Sequence, residues 1–231
     1  MRLQKLNNIK HVFFDLDHTL WDFDRNSELV FEKIFAERNI VIGVKEFINV
    51  YAPINVAYWR QFEKGEIDKQ NLRYRRLADT FDKLLLKFSR EEIDAISNTY
   101  IAYLPLQKNL IEGALATVMY MKSRYTLHII TNGFEEVQEQ KLERSGLLSY
   151  FDTVTNSDEA KVKKPDPRIF ELALSKAGAR AEESVMIGDS LEADVVGAQR
   201  VGIRGIYFGD QLKNNDTYLN VSKLQKLKEL L

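Results

Sequence analysis

The chain has 231 residues, 45% of them hydrophobic, which is enough for one large domain or for a domain that carries a smaller insertion. Its 33 basic and 34 acidic residues give a net charge of −1, so no broad electrostatic field favours a nucleic-acid polymer or an anionic membrane as partner. Cysteine is absent, which excludes disulfides, thiolate nucleophiles and cysteine-based zinc sites, and without a signal-peptide pattern or an apolar run of membrane-spanning length we expect a cytoplasmic protein.

The first predicted strand, residues 12–14, leads directly into Asp15, Leu16 and Asp17. Two carboxylates this close are costly unless a cation or a shared proton compensates, so the motif suggests a reactive site. A short Asp-x-Asp segment after a strand is also a common turn, because Asp hydrogen-bonds its own backbone. The motif alone leaves both interpretations open.

Residues 21–105 contain several amphipathic helical patterns and no convincing strand, so we expect an all-helical subdomain, or cap, inserted into an α/β domain. Pro53 lies inside an otherwise helical pattern, which predicts a helix start or a kink there. The helix after Asp68 is predicted to run towards Lys87. Helices are predicted to start at Ser27, at Asp68 and at the capping box of Ser89, and one helix is predicted to end at Gly65.

Strand-like runs return after this segment and alternate with helical patterns, which predicts a parallel sheet with helical crossovers. The predicted core domain therefore consists of residues 1–20 and 106–231, and the cap of residues 21–105. Residues 222–231 have leucines at helical spacing and are expected to pack back on the core. The later strand-like runs are residues 127–130, 184–187 and 203–208, and the helical patterns are residues 113–123, 134–145 and 167–177.

Polar residues follow the predicted strands at residues 127–130 and 184–187. Thr131 and Asn132 can bind an oxyanion or can simply cap the next helix. Gly188 permits close approach of the backbone, and Asp189 then emerges at the carboxyl end of a strand. Asp194 falls in the first turn of the next helix, where a carboxylate is favourable for capping alone.

Lys164 lies in a loop stiffened by Pro165 and Pro167, just before a helix. The proline that follows it biases Lys164 towards an extended backbone and limits where its ammonium can point. A lysine held in this way suits charge neutralisation. Taken in isolation, the segment is expected to be a solvated lysine pair.

The candidate residues Asp15, Asp17, Thr131, Asn132 and Asp189 all fall at the carboxyl ends of predicted strands. Parallel α/β sheets bind ligands beyond these ends, so we expect the residues to meet in one site. A carboxylate cluster without cysteine or a plausible histidine triad matches a hard, oxygen-binding cation, and we predict Mg²⁺.

As an ordered set, these segments resemble the motifs of the haloacid dehalogenase superfamily of phosphohydrolases. The resemblance covers almost the whole chain and implies a modified Rossmann core with a helical cap inserted after the first motif. His18 departs from it, because many members carry glycine there. A 5'-nucleotidase subgroup also lacks that glycine and shares residues 131–134, which implies a nucleoside 5'-monophosphate as substrate. The matching segments are residues 15–19, 131–132, 164–165, and 188–189 with Asp194.

The resemblance assigns the chemistry to Asp15 and Asp17. Asp15 would attack the phosphorus of a phosphate monoester and form an aspartyl-phosphate that water later hydrolyses. Asp17 would protonate the leaving alkoxide and then accept a proton from the attacking water. Thr131, Asn132 and Lys164 would bind the phosphate oxygens, and loss of Lys164 should slow both steps.

The resemblance also implies the metal ligands. Mg²⁺ would be held by the Asp15 carboxylate, the Asp17 backbone carbonyl and Asp189, with Asp194 supporting the site from nearby. Specificity would come from the cap, although aromatic residues at helical spacing are more often packing residues. The aromatic residues considered for stacking on a base are Trp21, Phe23, Tyr51, Tyr58 and Trp59.

The expected partner is a small phosphate monoester, and the protein is expected to be a monomer or a weak homo-oligomer. A sugar-phosphate phosphatase and a phosphomutase use the same aspartyl-phosphate and stay open as alternatives. A haloacid dehalogenase needs neither Mg²⁺ nor an acid for an alkoxide, so Asp17 argues against it. A binding module without catalysis is disfavoured because all the acidic positions are present.

Overall fold

Six strands form one parallel sheet in the computed structural model, which describes residues 5–210 and 218–231. Their order across the sheet is β3-β2-β1-β4-β5-β6, so the predicted parallel sheet is confirmed. The strands are β1 His11–Phe14, β2 Thr126–Thr131, β3 Thr153–Asn156, β4 Ser184–Gly188, β5 Arg204–Phe208 and β6 Leu219–Val221.

The strand order reverses at β1, which pairs with β2 on one side and with β4 on the other. Phe14 lies opposite both Ile129 and Ile187. The N–H group of the next residue, Asp15, donates to the Ile187 carbonyl at 2.9 Å. Asp15 therefore lies at the carboxyl end of β1, at the point of reversal where α/β sheets bind their ligands.

The described residues divide into two compact units, Met1–Phe23 with Lys108–Leu231, and Asp24–Gln107. The second unit differs by a few residues from the predicted cap, 21–105, and the boundaries of that cap stay a prediction. Within the described part of the chain, no helix has both the length and the apolar character needed to cross a membrane. The helices that account for the second unit are α1 Phe23–Arg38, α2 Val44–Glu63, α3 Lys69–Lys83 and α4 Arg90–Tyr103.

Aromatic side chains fill the interior of the helical unit. The Phe31 ring lies 4.6 Å from the ring centroids of both Phe47 and Tyr100, and Tyr51 packs against the same cluster. Each buried aromatic ring contributes more apolar area than an aliphatic side chain does, so four helices can form a core with few side chains. The rings come from three different helices and tie them together.

The helix boundaries of this unit confirm three sequence predictions and correct two. Asp68 and Ser89 cap α3 and α4 as predicted, and Gly65, with φ +74°, follows the end of α2. Ser27 is not a cap, because α1 begins at Phe23 and the Ser27 hydroxyl instead bonds the Tyr100 hydroxyl at 2.9 Å. Pro53 does not start a helix, since α2 begins at Val44 and continues through it.

α3 ends at Lys83, four residues before the predicted end, because the backbone at Leu85 turns left-handed with φ +58°. The predicted helix 222–231 is shorter than expected, since only its last turn is α-helical. Its leucines Leu224, Leu227 and Leu231 are buried as predicted.

The remaining helices are α5 Ala114–Lys122, α6 Glu135–Arg144, α7 Ser157–Ala160, α8 Pro167–Ala177, a π-helical turn Leu191–Val196, α9 Gly197–Gln199 and α10 Leu227–Leu230. Single 3₁₀ turns occur at Leu104–Leu106, Leu148–Tyr150, Ala181–Glu183 and Leu224–Lys226.

One face of the sheet is covered by α8. Asp166 caps this helix by accepting a hydrogen bond from the Arg168 N–H at 3.0 Å, and Gly178 ends it with φ +58°. Apolar residues of α8, of the sheet and of residues 198–203 form a single buried cluster, in which each large side chain contributes about 1.5–3 kcal/mol. The cluster consists of Phe13, Ile130, Ile169, Phe170, Ala173, Met186, Ala198 and Ile203.

His128 is buried in β2, and its burial should make the free energy of unfolding depend on pH. Its ring nitrogens lie 3.1 Å from His11 Nδ1 and 2.9 Å from Thr153 Oγ1. Burial, with a smaller contribution from His11, lowers the pKa of His128 from 6.5 to about 4. The unfolded chain therefore binds more protons than the folded one between these two values.

We expect this histidine to contribute fully to stability above pH 6.5 and to lose its contribution as the pH falls towards about 4. After allowance for solvent screening, the expected loss is about 2 kcal/mol. Denaturant unfolding at about pH 7 and about pH 4.5 measures it in the parent and in His128→Gln. If both proteins lose the same free energy of unfolding between the two pH values, His128 is not the responsible group.

Candidate active site

A buried lysine joins two aspartates at the carboxyl end of β1. Lys164 Nζ lies 2.7 Å from Asp15 Oδ1 and 2.6 Å from Asp194 Oδ1, and it also donates to the Ile130 carbonyl at 2.8 Å. The side chains of Lys164 and Asp194 are 3% and 1% exposed. Because buried charges occur almost only when they are paired, this ion-pair network is the electrostatic centre of the site.

Three carboxylates lie close enough to hold one metal ion. Asp15, Asp189 and Asp194 each offer an oxygen, and these oxygens lie within 4.8 Å of one another. Asp194 Oδ2 already accepts the Ser190 N–H at 2.9 Å, and its other oxygen accepts Lys164. Asp15 and Asp189 are therefore better placed than Asp194 to bind a cation directly.

Two neighbouring groups shape this carboxylate cluster. The Thr19 hydroxyl donates to Asp189 Oδ1 at 3.2 Å and accepts the Asp189 N–H at 3.1 Å. A Cβ atom on Gly188 would lie 2.1 Å from Asp194 Oδ2, so only glycine permits the carboxylate to approach the strand end. This agrees with the close backbone approach predicted for Gly188.

The carboxylate cluster is largely buried and contains more acidic than basic groups. Burial raises the pKa of Asp15 well above its usual range, and burial together with Asp194 raises the pKa of Asp189 to about 7. Burial alone would lower the pKa of Lys164, but Asp15 and Asp194 outweigh it and raise the pKa. When all three carboxylates are ionised, a single ammonium leaves two negative charges uncompensated. The oxygen donors and this deficit fit a divalent cation such as Mg²⁺.

The segment after β2 is tied to the lysine loop. Asn132 Oδ1 accepts the Lys164 N–H at 2.7 Å, and Asn132 Nδ2 donates to the Lys164 carbonyl at 3.1 Å. Thr131 Oγ1 accepts the Gly133 N–H at 3.1 Å and the Gln138 amide at 2.6 Å. The Asn132 side chain therefore positions Lys164, whereas Thr131 keeps a hydroxyl hydrogen to donate.

Asp17 lies outside the carboxylate cluster and has its own partners. Lys141 Nζ lies 2.6 Å from Asp17 Oδ1, and Gln138 Nε2 donates to Asp17 Oδ2 at 3.0 Å. Both partners belong to α6, and the side chain of Asp17 remains 23% exposed. The sequence interpretation placed Asp17 in the site but did not identify Gln138 or Lys141.

Thr19 belongs to the first motif, but its contact with Asp189 was also not predicted. A polar residue two positions after an Asp-x-Asp segment was the available signal for Thr19. On α6, only the spacing of Gln138 and Lys141, three residues apart, was available. That spacing equally describes a solvated helix face.

His18 adopts a backbone conformation that favours glycine. Its φ is +62°, and its N–H donates to the Trp21 carbonyl at 3.0 Å, which closes the turn after Asp17. L-residues pay about 1–2 kcal/mol in this left-handed region, and glycine pays little. The turn geometry is thus a physical reason for the glycine that the resemblance implies at this position.

We expect His18→Val to lower the free energy of unfolding by about 1–2 kcal/mol, because a β-branched side chain is least tolerant of positive φ. His18→Gly is the matched control, because it loses the same ring contact with Phe23, 4.8 Å away, without the backbone strain. It should stay within about 1 kcal/mol of the parent in denaturant unfolding. Equal stability of the two variants would show that the turn stores no strain.

The aromatic residues predicted for base stacking fall into two groups. Trp21, Phe23 and Tyr51 are buried, Trp21 beneath the Lys141 ammonium and Tyr51 in the aromatic interior of the helical unit, and this burial argues against base stacking by these three rings. Trp21 and Phe23 also belong to the sheet-containing unit and not to the helical one. Tyr58 and Trp59 on α2 are partly exposed.

Comparison with known proteins identifies the family. A sequence model of the haloacid dehalogenase-like hydrolases matches residues 9–202. The chain belongs to the haloacid dehalogenase-like hydrolases. This confirms the resemblance and the predicted α/β core with an inserted all-helical segment, the fold of this hydrolase family.

Two curated relatives are similar over nearly the full length of this hydrolase. The pyrimidine 5'-nucleotidase PynA of Streptococcus pneumoniae is 33% identical over 211 residues, covering 90% of this chain and 87% of its own. The pyrimidine 5'-nucleotidase YjjG of Escherichia coli is 28% identical over 225 residues, covering 95% and 96%. The predicted enzyme class, a phosphoric monoester hydrolase of this family, is therefore confirmed.

A solved structure shows the same fold. The HAD-hydrolase YfnB of Bacillus subtilis, crystallised bound to magnesium, superposes with a TM-score of 0.87 at 26% identity. The match covers 96% of this chain and 98% of that one.

Proposed function

We propose that this hydrolase is a Mg²⁺-dependent phosphatase that cleaves nucleoside 5'-monophosphates through an aspartyl-phosphate on Asp15. The observation that carries the proposal is the meeting of Asp15, Lys164 and Asp189 at the carboxyl end of β1. The nucleotidase names of two relatives support the choice of a nucleotide, and their shared length supports transfer of the whole activity.

In the first step, a carboxylate oxygen of Asp15 attacks phosphorus and forms a new P–O bond while the P–O bond of the ester breaks. The leaving oxygen takes a proton from Asp17. In the second step, Asp17 accepts a proton from water, and the resulting hydroxide oxygen attacks phosphorus, releasing phosphate and restoring Asp15. One carboxyl group thus serves as acid and then as base.

The Lys164 ammonium neutralises phosphate oxygens as charge moves between the attacking and leaving oxygens. The Thr131 hydroxyl, which accepts two hydrogen bonds, can donate its own hydrogen to a phosphate oxygen. Asn132 acts through the loop of Lys164 that it holds. When bound, Mg²⁺ supplies the charge that lets an anionic nucleophile approach an anionic ester, held by Asp15, Asp189 and the Asp17 carbonyl with Asp194 in support.

A panel of phosphate monoesters tests the proposal. Purified protein is assayed for inorganic phosphate with pyrimidine and purine nucleoside 5'-monophosphates and with small sugar phosphates, in Mg²⁺ and again with a chelator. We expect the highest kcat/KM on a nucleotide and loss of turnover with the chelator. Equal activity on sugar phosphates would contradict the nucleotidase assignment, and isomerised sugar phosphate as the main product would indicate a phosphomutase.

A further inference from the structure

One face of α6 holds the carboxylate of Asp17 from behind. Gln138 and Lys141 are one helical turn apart, and each contacts a different Asp17 oxygen, at 3.0 and 2.6 Å. Both of these side chains are buried, whereas the Asp17 carboxylate remains partly exposed. The carboxylate is therefore reachable by a ligand while its two partners are not.

The two partners are themselves fixed. The Lys141 ammonium lies 4.3 Å above the ring centroid of Trp21, a fully buried side chain. The Gln138 amide also donates to Thr131 Oγ1, and it packs so tightly on Gly133 that a Cβ there would lie 2.1 Å from its nitrogen. These contacts restrict the movement of both groups, so together they favour the one position of the Asp17 carboxylate that accepts from both.

A stability role alone accounts poorly for this arrangement. The Asp17 carboxylate is partly exposed, which weakens its attraction to the ammonium, and burial of the Lys141 ammonium carries a desolvation cost that offsets this attraction. An apolar side chain at position 141 would avoid that cost next to Trp21. The lysine instead directs its ammonium to the one carboxylate that the proposed reaction uses for proton transfer.

We propose that Lys141 and Gln138 are positioning residues that hold Asp17 in line with the leaving oxygen. This inference rests on the proposed phosphatase function. As the ester P–O bond breaks, its electron pair goes to the leaving oxygen, which takes the proton from the Asp17 O–H. The carboxylate that remains is stabilised by the ammonium and the amide already in place.

The test compares two leaving groups. A nucleoside 5'-monophosphate releases a poor leaving group, an alkoxide, which needs the proton, whereas 4-nitrophenyl phosphate releases a stable phenolate that does not. The measured quantity is kcat/KM, because it covers the steps up to departure of the leaving group and not the later hydrolysis of the aspartyl-phosphate. We expect Lys141→Met to lower kcat/KM about 100-fold on the nucleotide and less than about 5-fold on the nitrophenyl ester.

Matched variants separate positioning from folding. Lys141→Arg keeps the charge and should recover much of the nucleotide activity, and Gln138→Leu should repeat the leaving-group pattern more weakly. Gln140→Leu, an exposed position on the same helix, is the control and should behave as the parent. Thermal unfolding identifies any variant that fails to fold, in which case Gln138→Leu and Lys141→Arg carry the test.

The outcomes distinguish this inference from the function on which it rests. Equal losses on both esters, or no loss on the nucleotide, would overturn the positioning role while leaving a parent phosphatase intact. A parent that hydrolyses neither ester would overturn the proposed function itself. Asp17→Asn provides the reference, since it should show the same leaving-group pattern at larger amplitude.

Discussion

The Asp15→Asn variant is expected to lose phosphate release by about 10⁴-fold or more while remaining folded. An amide oxygen is a poor nucleophile, so the aspartyl-phosphate cannot form. The amide has nearly the same shape as the carboxylate and can still accept the hydrogen bond from Lys164. A purified variant with a normal rate of phosphate release would exclude Asp15 as the nucleophile.

The same substitution should not weaken the fold. Burial raises the pKa of Asp15 well above its usual range, which means that the charged form is costly in the absence of a cation. Removing that charge is expected to leave the melting temperature in chelator unchanged or raised by about 2–4 °C. Asp82→Asn, an exposed position on α3, is the matched control and should change neither activity nor melting temperature.

Lys164→Met should reduce both activity and stability. Loss of the ammonium removes the charge that stabilises the transferring phosphoryl group, and we expect kcat to fall about 10²–10³-fold. It also leaves the buried carboxylates of Asp15 and Asp194 without their shared partner. Breaking a buried ion pair from one side costs about 3–5 kcal/mol, equivalent to a fall of about 10 °C in melting temperature.

Magnesium should restore part of that loss, because the cation and the ammonium compensate the same negative charges. We expect added Mg²⁺ to raise the melting temperature of Lys164→Met by more than it raises that of the parent, as measured by thermal unfolding with Mg²⁺ and with chelator. Lys163→Met serves as control, since it removes the neighbouring lysine and should leave both quantities close to the parent values. An equal Mg²⁺ effect on Lys164→Met and parent would show that the cation lies away from this cluster.

The parts of the fold that were predicted carry strong hydrophobic signals. Strands β1, β2, β4 and β5 are runs of large apolar residues, and their alternation with helices determines a parallel sheet. Strand β3, Thr153–Asn156, was missed because it has one apolar residue, Val154, and lies at the sheet edge. Strand β6, Leu219–Val221, has three residues and is too short to show a period.

The site was predicted to the extent that chain topology dictates it. Residues that follow parallel strands must meet at one edge, which places Asp15, Thr131 and Asp189 together without any knowledge of side-chain packing. Lys141 was missed for the opposite reason, since a charged residue on an amphipathic helix is normally solvated. Its burial depends on Trp21, more than 100 residues away in the sequence, and no local pattern contains that contact.

The two hydrogen bonds between the Asn132 side chain and the backbone of Lys164 connect two segments that are distant in the sequence. Any displacement of one is transmitted to the other, so the lysine cannot adjust independently of the strand end that carries Thr131. A transplant of this site into another scaffold would therefore need both loops as a matched pair. Directed evolution that alters one of them should accumulate compensating changes in the other.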